Sequence, residues 1–584
     1  MKRIIRGIFF AGVLALGVAG MLSRWDDVFV EKNVVAFLDP DCYSRMTRIA
    51  YGSPWSEVSR LHLFENAPQS VVPHTTAAMD LPLSVLAKII GMDYAGAWIS
   101  PLLGFLFLGV FVAWAWRRNY GWIALMLVAT SPILAHGFSI GRPDHQSLIV
   151  LLCAVGLLAE VGIWRRMINV SSDSRESSES RLINDSNPTT PRAEGAKPVS
   201  HWIAAVVWPL ALWTSLFEPL ILLTCCLVAR VVVLGRDAFP RERRDWAVVA
   251  VTLVLLVPAL VDGLWRGIAN PLPSETLEYF SAWAKTIGEL QRPSWKLVFG
   301  WIGWLAPIFP ALLLWRGVSN LVPVFRCSSD PVGRLIPDCP LGLRPNKKSG
   351  LNRILIALAV LFCIVLALTL WTARWGYFLP VVAAVCAPFA LGNFPWKKSL
   401  HTLFVVSLWP VASTWDAKFG DEQMALRLEE REEACLLKDD VVPWITGISK
   451  ADGIFESSTP KIVLAPWWLS PEIAYWGACR GSGSSVYCVA GSSHQSLPGI
   501  ADTAKFYLST TDAYALKILQ ARKVDYVLVD TAVERTLQTS LPLLGEKNAT
   551  TACMVYRLAK GQNVPPFLRL VHRNQFFKLY RVSE

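Results

Sequence analysis

Charge is what this sequence has little of. Only 17% of its 584 residues are Asp, Glu, Lys or Arg, against about 25% in typical soluble domains. With 53% hydrophobic residues and a mean hydropathy of +0.39, an ordinary soluble globular protein is excluded, and many membrane spans are expected. Negative charge is the scarcer sign: 45 acidic residues against 56 basic ones give a net +11. The basic residues cluster in loops between apolar runs, which encodes topology and attracts anionic headgroups rather than marking a nucleic-acid partner. The 12 cysteines include no CxxC pair, so the common zinc patterns are missing. No small-residue cleavage site follows Lys2, Arg3, Arg6 and the apolar stretch to Leu22. That stretch is therefore expected to remain as a first helix entering from the cytoplasm. The paired broken helices and inverted repeat of a secondary transporter are also missing, which weighs against transport; a non-catalytic membrane protein stays open as an alternative class.

Long apolar runs take the place of charge. After the first, they cover 95–116, 121–138, 147–164, 202–217, 219–235, 246–262, 296–315, 352–372, 376–392 and 399–415. A span needs about 20 apolar residues, so the pattern predicts an α-helical polytopic protein of about eleven spans. Arg117-Arg118, Arg165-Arg166, Arg241 with Arg243 and Arg244, Lys347-Lys348 and Lys397-Lys398 all fall in loops of one parity. That side is cytoplasmic by the positive-inside rule. Residues 1–415 then form the membrane domain and 416–584 lie outside, in a bacterial-type inner or plasma membrane. The 26 Trp suit interfacial belts. The polar 167–200 loop is expected to be disordered on the cytoplasmic side, and 317–350 is cytoplasmic with no visible chemistry.

Beyond 416 the character changes. A charged helical stretch, Asp421 to Asp440, precedes short apolar strands at Lys461–Ala465, Ser485–Val489 and Val524–Val529. These alternate with helix-like segments Pro471–Gly477 and Ala501–Arg522. That alternation predicts a small α/β domain. It holds Cys435, Cys479, Cys488 and Cys553, which in an exported domain are compatible with disulfides, Cys479 and Cys488 being the nearest pair, or with free buried thiols.

The few ionisable residues near spans gather on the external face. Asp39 and Asp41 flank Pro40 in the first external loop, which also carries Tyr43, Arg45 and Arg48. A carboxylate pair there can hold a hard cation, or sit in a solvated turn. Asp144 and His145 stand at the membrane boundary in Gly141–Gln146, where an ionisable group is costly and is a functional candidate; Asp144 can also cap the following helix. The third external region offers Glu275, Glu278 and Glu289. Arg374 follows the ninth apolar segment and can snorkel to headgroups or clamp a lipid phosphate. Glu218, in a tight external turn beside Pro219, has no assigned place.

This combination resembles the catalytic subunit of oligosaccharyltransferases, in the bacterial and archaeal branch of the GT-C glycosyltransferases, over essentially the whole chain. Asp41-Cys42-Tyr43 matches the first external acidic motif of that family. Gly141–Gln146 resembles the second, Thr286-Ile287-Gly288-Glu289 matches its Thr-Ile-x-Glu motif, and Trp467-Trp468 matches the start of its Trp-Trp-Asp-Tyr-Gly segment. The resemblance implies a glycan donor on a polyprenyl phosphate or pyrophosphate and an extracytoplasmic polypeptide acceptor. It implies Mg2+ or Mn2+ held by Asp41, Asp144 and Glu289, with Gln146 in the place of a second acid and His145 as a substitute ligand. Asp41 and Glu289 would also bind the acceptor amide. Arg374 would contact the donor phosphate in an inverting displacement. Two departures stand out. Leu469-Ser470-Pro471 replaces Asp-Tyr-Gly, which leaves Ser470 or Glu472 beside Trp467 and Trp468 to meet the acceptor. The chain also shows eleven spans where the family has about thirteen. A polyprenyl-monophosphate-sugar-dependent monosaccharide transferase is the alternative reading within lipid-linked transfer.

Overall fold

The computed structural model describes residues 2–31, 34–52, 61–73, 76–116, 118–181, 199–239, 243–268, 274–319, 347–392, 397–447, 460–479 and 485–583. The chain is mostly helical. Among the described residues six helices are long and apolar enough to cross a bilayer: Ile4–Val28, Met92–Ala115, His145–Arg165, Phe217–Leu234, Asp245–Gly263 and Leu351–Trp371. A bent pair makes a seventh if it is one span. Shorter apolar helices, Gly121–Thr130, Val199–Thr214 and Leu379–Leu391, fill in between them. This is a multi-pass membrane protein.

Each of the eleven apolar runs is helical, but several are broken. The run 296–315 is not one rod: Trp295–Ile302 meets Ala306–Val318 at 95°. The break falls at Gly303, with φ of 72°, where an added Cβ would lie 2.6 Å from the Ser407 carbonyl oxygen. Only glycine takes both that backbone angle and that approach without strain. The run 121–138 breaks at Ser131-Pro132, and 399–415 breaks at Leu408, with Pro410 opening the second half. Proline removes a helical donor in each case. The 167–200 segment also departs from expectation, because the helix His145–Arg181 runs well into it; residues 182–198, like most of 317–350, lie outside the described residues.

Two short strands, β1 (Phe29–Glu31) and β2 (Val34–Val35), pair antiparallel after the first helix, and the C-terminal part builds one five-stranded sheet. Its strands are β3 (Lys461–Leu464), β4 (Val486–Cys488), β5 (Tyr526–Asp530), β6 (Leu568–Arg573) and β7 (Phe577–Val582), in the order β4-β3-β5-β7-β6. The strands β4, β3 and β5 are parallel, and β7 runs antiparallel to both β5 and β6. The apolar runs of β3 and β5 suit central parallel strands covered on both faces. The expected long helix 501–522 is two, Leu497–Leu508 and Asp512–Ala521.

This sheet docks directly on the loop between the first two long apolar helices. The backbone of Cys488 on β4 exchanges hydrogen bonds with Phe64 and Ala67 at 3.0 Å each, so the loop covers an edge that would otherwise be open. Arg522 donates to the Asn66 side-chain oxygen at 2.9 Å and pairs with Asp502 at 2.7 Å. Helix Ser470–Cys479 packs on helix Pro40–Tyr51, where Tyr43 meets Tyr475 and Trp476 with ring centroids 5.9 and 5.4 Å apart. The aromatic of the Asp41-x-Tyr43 motif is therefore a docking anchor, buried to 1% exposure. Cys488 is a free thiol at the Ser470 carbonyl, and Cys553 is also outside any disulfide; the Cys479 side chain lies outside the described residues.

Candidate active site

The loop after the first apolar helix delivers Asp39 and Asp41 through a helix start. Pro40 occupies the first turn of helix Pro40–Tyr51, where its fixed φ fits and its missing N–H costs nothing. The helix is pinned from below by Asp80, which takes Arg45 at 2.8 Å and Arg48 at 2.6 Å inside the protein. Asp41 faces solvent through the mouth of a recess yet is otherwise surrounded by protein. Loss of surrounding water pushes its carboxyl up to about 7; a hydrogen bond from Ser492 opposes the shift, and the Asp144 and Asp39 charges add to it. Asp41, Asp144, His145, Arg45 and Ser492 line one small cavity of about 30 Å³. Ser492 comes from the C-terminal sheet domain, so that domain helps to build the site.

The Gly141–Gln146 segment is the hub. Gly141 adopts φ of 73° and lies so close to Val28 that a Cβ would clash at 2.3 Å. Its turn lets Arg142 reach inward. Arg142 is 4% exposed and pairs with Asp39 at 2.6 Å and Glu289 at 2.8 Å. It also donates to the Tyr377 hydroxyl at 2.9 Å and to His136 Nδ1 at 3.1 Å. Asp144 accepts from the His145 backbone N–H at 2.6 Å and from its Nδ1 at 2.5 Å. The other ring nitrogen, His145 Nε2, lies 3.4 Å from Arg374 Nη2.

Glu289 lies against Arg142, whose Nη2 is also 3.8 Å from Asp144. One oxygen takes Arg142 and the Tyr377 hydroxyl, the latter at 2.9 Å, and the other takes the Gln146 amide N–H. Among the described residues, no group of three or more His, Cys, Asp and Glu side chains is placed to hold a metal ion. The structure thus brings Asp41 and Asp144 together and leaves Glu289 in an Arg–Tyr–Gln network beside them. One observation fits a cation all the same. Gln146 Oε1 is buried with no hydrogen-bond partner among the described residues, and two carboxylates with an amide oxygen are the donors a hard cation takes.

Arg374 lies on the short turn Ala373–Tyr377 between two apolar helices. Its guanidinium is ion-paired with Glu218, the acidic residue that the sequence left unplaced. Glu218 is 2% exposed and also accepts from Ser215 at 2.6 Å. The backbone of Ala373 donates to Gln291 at 2.8 Å, which ties the Arg374 turn to the Glu289 segment. Arg374 is 30% exposed, so one side of the guanidinium stays open to an anion.

Comparison with solved structures gives one consistent answer. Archaeal oligosaccharyltransferase AglB from Archaeoglobus fulgidus, in complex with an inhibitory peptide and a dolichol-phosphate, matches with a TM-score of 0.56 at 14% identity. That match covers 92% of this chain and 71% of that one. The Archaeoglobus fulgidus oligosaccharyltransferase tethered with an acceptor peptide containing the NVT sequon matches with a TM-score of 0.56 at 14% identity, over 99% and 74% of the two chains. This chain has the oligosaccharyltransferase fold. ArnT from Cupriavidus metallidurans bound to undecaprenyl phosphate matches with a TM-score of 0.47 at 13% identity, over 99% and 98%. No family model and no curated protein matches the sequence.

On this oligosaccharyltransferase fold, Trp467 and Trp468 sit just before helix Ser470–Cys479, edge to face with centroids 6.2 Å apart. With Trp283 and Thr286 of the Glu289 segment they wall a narrow recess of about 10 Å³. Ser470 is not in it. Its hydroxyl is buried and donates to the Pro466 and Ala465 carbonyls at 3.0 and 3.2 Å. Glu472 is half-buried on the first turn of its helix, and it is not among the residues lining the recess. The recess is instead closed by Thr503 and Thr536, whose buried hydroxyls have no partner among the described residues. The sequence reading missed Arg142, Tyr377, His136, Ser492 and these two threonines. Arg142 had a signal, as an arginine two residues before Asp144 at a membrane boundary. The others had none, because each is brought in from a distant segment.

Proposed function

We propose that this protein is a membrane glycosyltransferase of oligosaccharyltransferase type. It moves a glycan from a polyprenyl phosphate or pyrophosphate to an extracytoplasmic polypeptide, with eleven spans and residues 416–584 outside. The observation that carries the reading is the meeting of Asp41, Asp144–His145, Glu289 and Arg374, from four separate segments, beside the end of an apolar bundle. The whole-chain likeness to oligosaccharyltransferase structures supports it.

Arg374 receives the donor phosphate on its open side, while Glu218 fixes the guanidinium plane from behind. The guanidinium offsets negative charge that grows on the departing phosphate oxygen. His145, held by Asp144, lies next to Arg374 and orients its donors. Asp41 stands where an acceptor amide can donate to it, and Arg142 holds Glu289 at a fixed orientation for the second amide contact. A divalent cation, Mg2+ or Mn2+, would be held by Asp41, Asp144 and Gln146 Oε1. When bound it would act as a Lewis acid on the phosphate oxygens. Trp467 and Trp468 wall the acceptor recess, and Thr503 and Thr536 take the role first looked for in Ser470 or Glu472.

The test is transfer by the purified full chain in liposomes, from a polyprenyl-pyrophosphate-linked glycan to a panel of fluorescent peptides. Glycopeptide formation that is lost in Asp41→Asn supports the reading. Transfer of one sugar from a polyprenyl monophosphate, with none from the pyrophosphate, would select the monosaccharide transferase. No transfer from either donor to any peptide would overturn the proposal.

A further inference from the structure

A second amphiphilic site lies apart from the catalytic recess. A groove of about 380 Å³ runs between helices Lys2–Met21, Gly121–Thr130 and Trp409–Lys418. Leu16, Ala19, Ala129, Val411 and Ala412 line it. The Trp415 indole N–H donates to the Thr130 carbonyl at 2.8 Å and fixes one wall. The groove adjoins a cavity of about 250 Å³ along Gly20, Ser23, Trp415 and Phe419, which line both. That cavity has the opposite character: Arg24, Lys418, Arg427 and Glu430 are its charged residues.

The charge does not balance. Arg24, Arg427 and Arg431 all draw on the one carboxylate of Asp27, at 2.6, 3.7 and 2.5 Å. Glu430 is 64% exposed and 3.6 Å from Arg24. Among the described residues no carboxylate lies within 4.0 Å of Lys418 Nζ, whose recorded contacts are the Pro132 carbonyl at 3.5 Å and the Trp415 ring at 5.2 Å. An apolar channel about 15 Å long, counted from Leu408 to Lys418 at 1.5 Å per residue, therefore ends in unbalanced positive charge. Each volume is of the order of small-molecule sites, roughly 300–1,000 Å³.

We propose that an anionic phospholipid of the surrounding bilayer occupies this space. Its phosphate lies among Lys418, Arg24 and Arg427, and its acyl chain lies along Val411, Ala412 and Leu16. The site is separate from the Arg374 donor contact and does not depend on the transfer reaction. It abuts the catalytic network at one side chain: His136 lines the cationic cavity and contacts Arg142 at 3.1 Å and Tyr377 at 3.0 Å. The bound headgroup thereby supports the side of the network that holds Glu289.

Native mass spectrometry of the full chain in detergent tests this directly, with phosphatidylglycerol or phosphatidylcholine as the added lipid. The wild type should retain one phosphatidylglycerol in preference to phosphatidylcholine. Lys418→Gln should lower phosphatidylglycerol retention about fivefold, the worth of one basic residue at a membrane surface. Ala412→Trp, which fills the groove, should lower retention of both lipids, whereas Lys547→Gln on the C-terminal surface should change nothing. Equal retention of the two lipids by the wild type, or unchanged retention in both variants, would overturn the proposal. Displacement by equimolar undecaprenyl phosphate would reassign the site to a polyprenyl lipid. A dimer abolished by Ala412→Trp would reassign it to a second copy of the chain.

Discussion

Arg374 has two partners to answer for, and a double-mutant cycle separates them. Its guanidinium neutralises Glu218, which is 2% exposed, and the proposed function also gives it the donor phosphate. Arg374→Ala therefore does two things at once. It strands a buried carboxylate, a change that costs about 3–5 kcal/mol when the charge stays unpaired. The Ser215 hydrogen bond and the 30% exposure of Arg374 place this pair toward the lower end. It also removes a charge-assisted contact to phosphate worth about 1.5–3 kcal/mol, or roughly 10- to 150-fold in donor affinity. Glu218→Gln keeps the guanidinium and removes the buried charge, so it should lower the melting temperature only slightly and leave donor affinity within about threefold of wild type. The double variant Arg374→Ala with Glu218→Gln is the decisive one. It should recover most of the melting temperature lost in Arg374→Ala, because no charge is stranded. It should not recover donor affinity, measured by equilibrium binding of a fluorescent polyprenyl-pyrophosphate glycan. Arg374→Lys should give intermediate affinity, since a point charge replaces a planar fork. Recovery of donor affinity together with stability in the double variant would show that Arg374 serves only to neutralise Glu218.

Four further outcomes are expected. Chelation of divalent cations should abolish transfer, with recovery on adding Mg2+ or Mn2+, and Asp144→Asn should raise the metal concentration needed at least tenfold; full activity in excess chelator would remove the cation from the mechanism. Arg522→Ala should free residues 61–73 from the sheet domain, losing about 2–4 kcal/mol of local stability, seen as faster hydrogen exchange in that loop with the core unchanged. In a peptide panel, transfer should not be exclusive to Asn-x-Thr over Asn-x-Ala, and Thr536→Val should alter the ranking; strict Asn-x-Thr preference untouched by Thr536→Val would show that the threonine-lined recess does not read the acceptor. Reporter fusions at Ser177 and Ser583 should report opposite compartments, and the same compartment for both would sink the eleven-span arrangement.

The sequence exposed what the bilayer imposes and hid what pairing at a distance imposes. Lipid leaves no water for backbone groups, so a helical membrane protein is built from long apolar runs whose backbone bonds close within the helix, and hydropathy makes the runs visible. The same pressure makes Asp144 conspicuous, because a carboxylate at a span boundary has few harmless explanations. Breaks inside a run are less visible, because hydropathy registers composition and not backbone angle. The bend at Gly303 depends on the approach of Ser407, more than a hundred residues away. The C-terminal sheet was half legible. The strands β3, β4 and β5 read as apolar runs, while β6, Leu568–Arg573, carries three exposed positions and its mixed pattern gave no strand signal.

The same reasoning explains the site. Asp41, Asp144, Glu289 and Arg374 could be named because each sits in a recognisable local motif. Their partners could not be named. Glu218 and Arg374 are 156 positions apart, and Arg142 and Glu289 are 147 apart. No local pattern links such residues, so their pairing emerges only when the helices pack. That difference has a consequence for what the motif means. Read alone, the three carboxylates form one ligand set. In the folded chain Arg142 and Gln146 claim Glu289, and Ser492 from the sheet domain reaches Asp41. Arg142, the arginine inside the second motif, reaches Asp39, Asp144 and Glu289 at 2.6, 3.8 and 2.8 Å, so one cation holds acids from three segments, two of which no local pattern pairs with it.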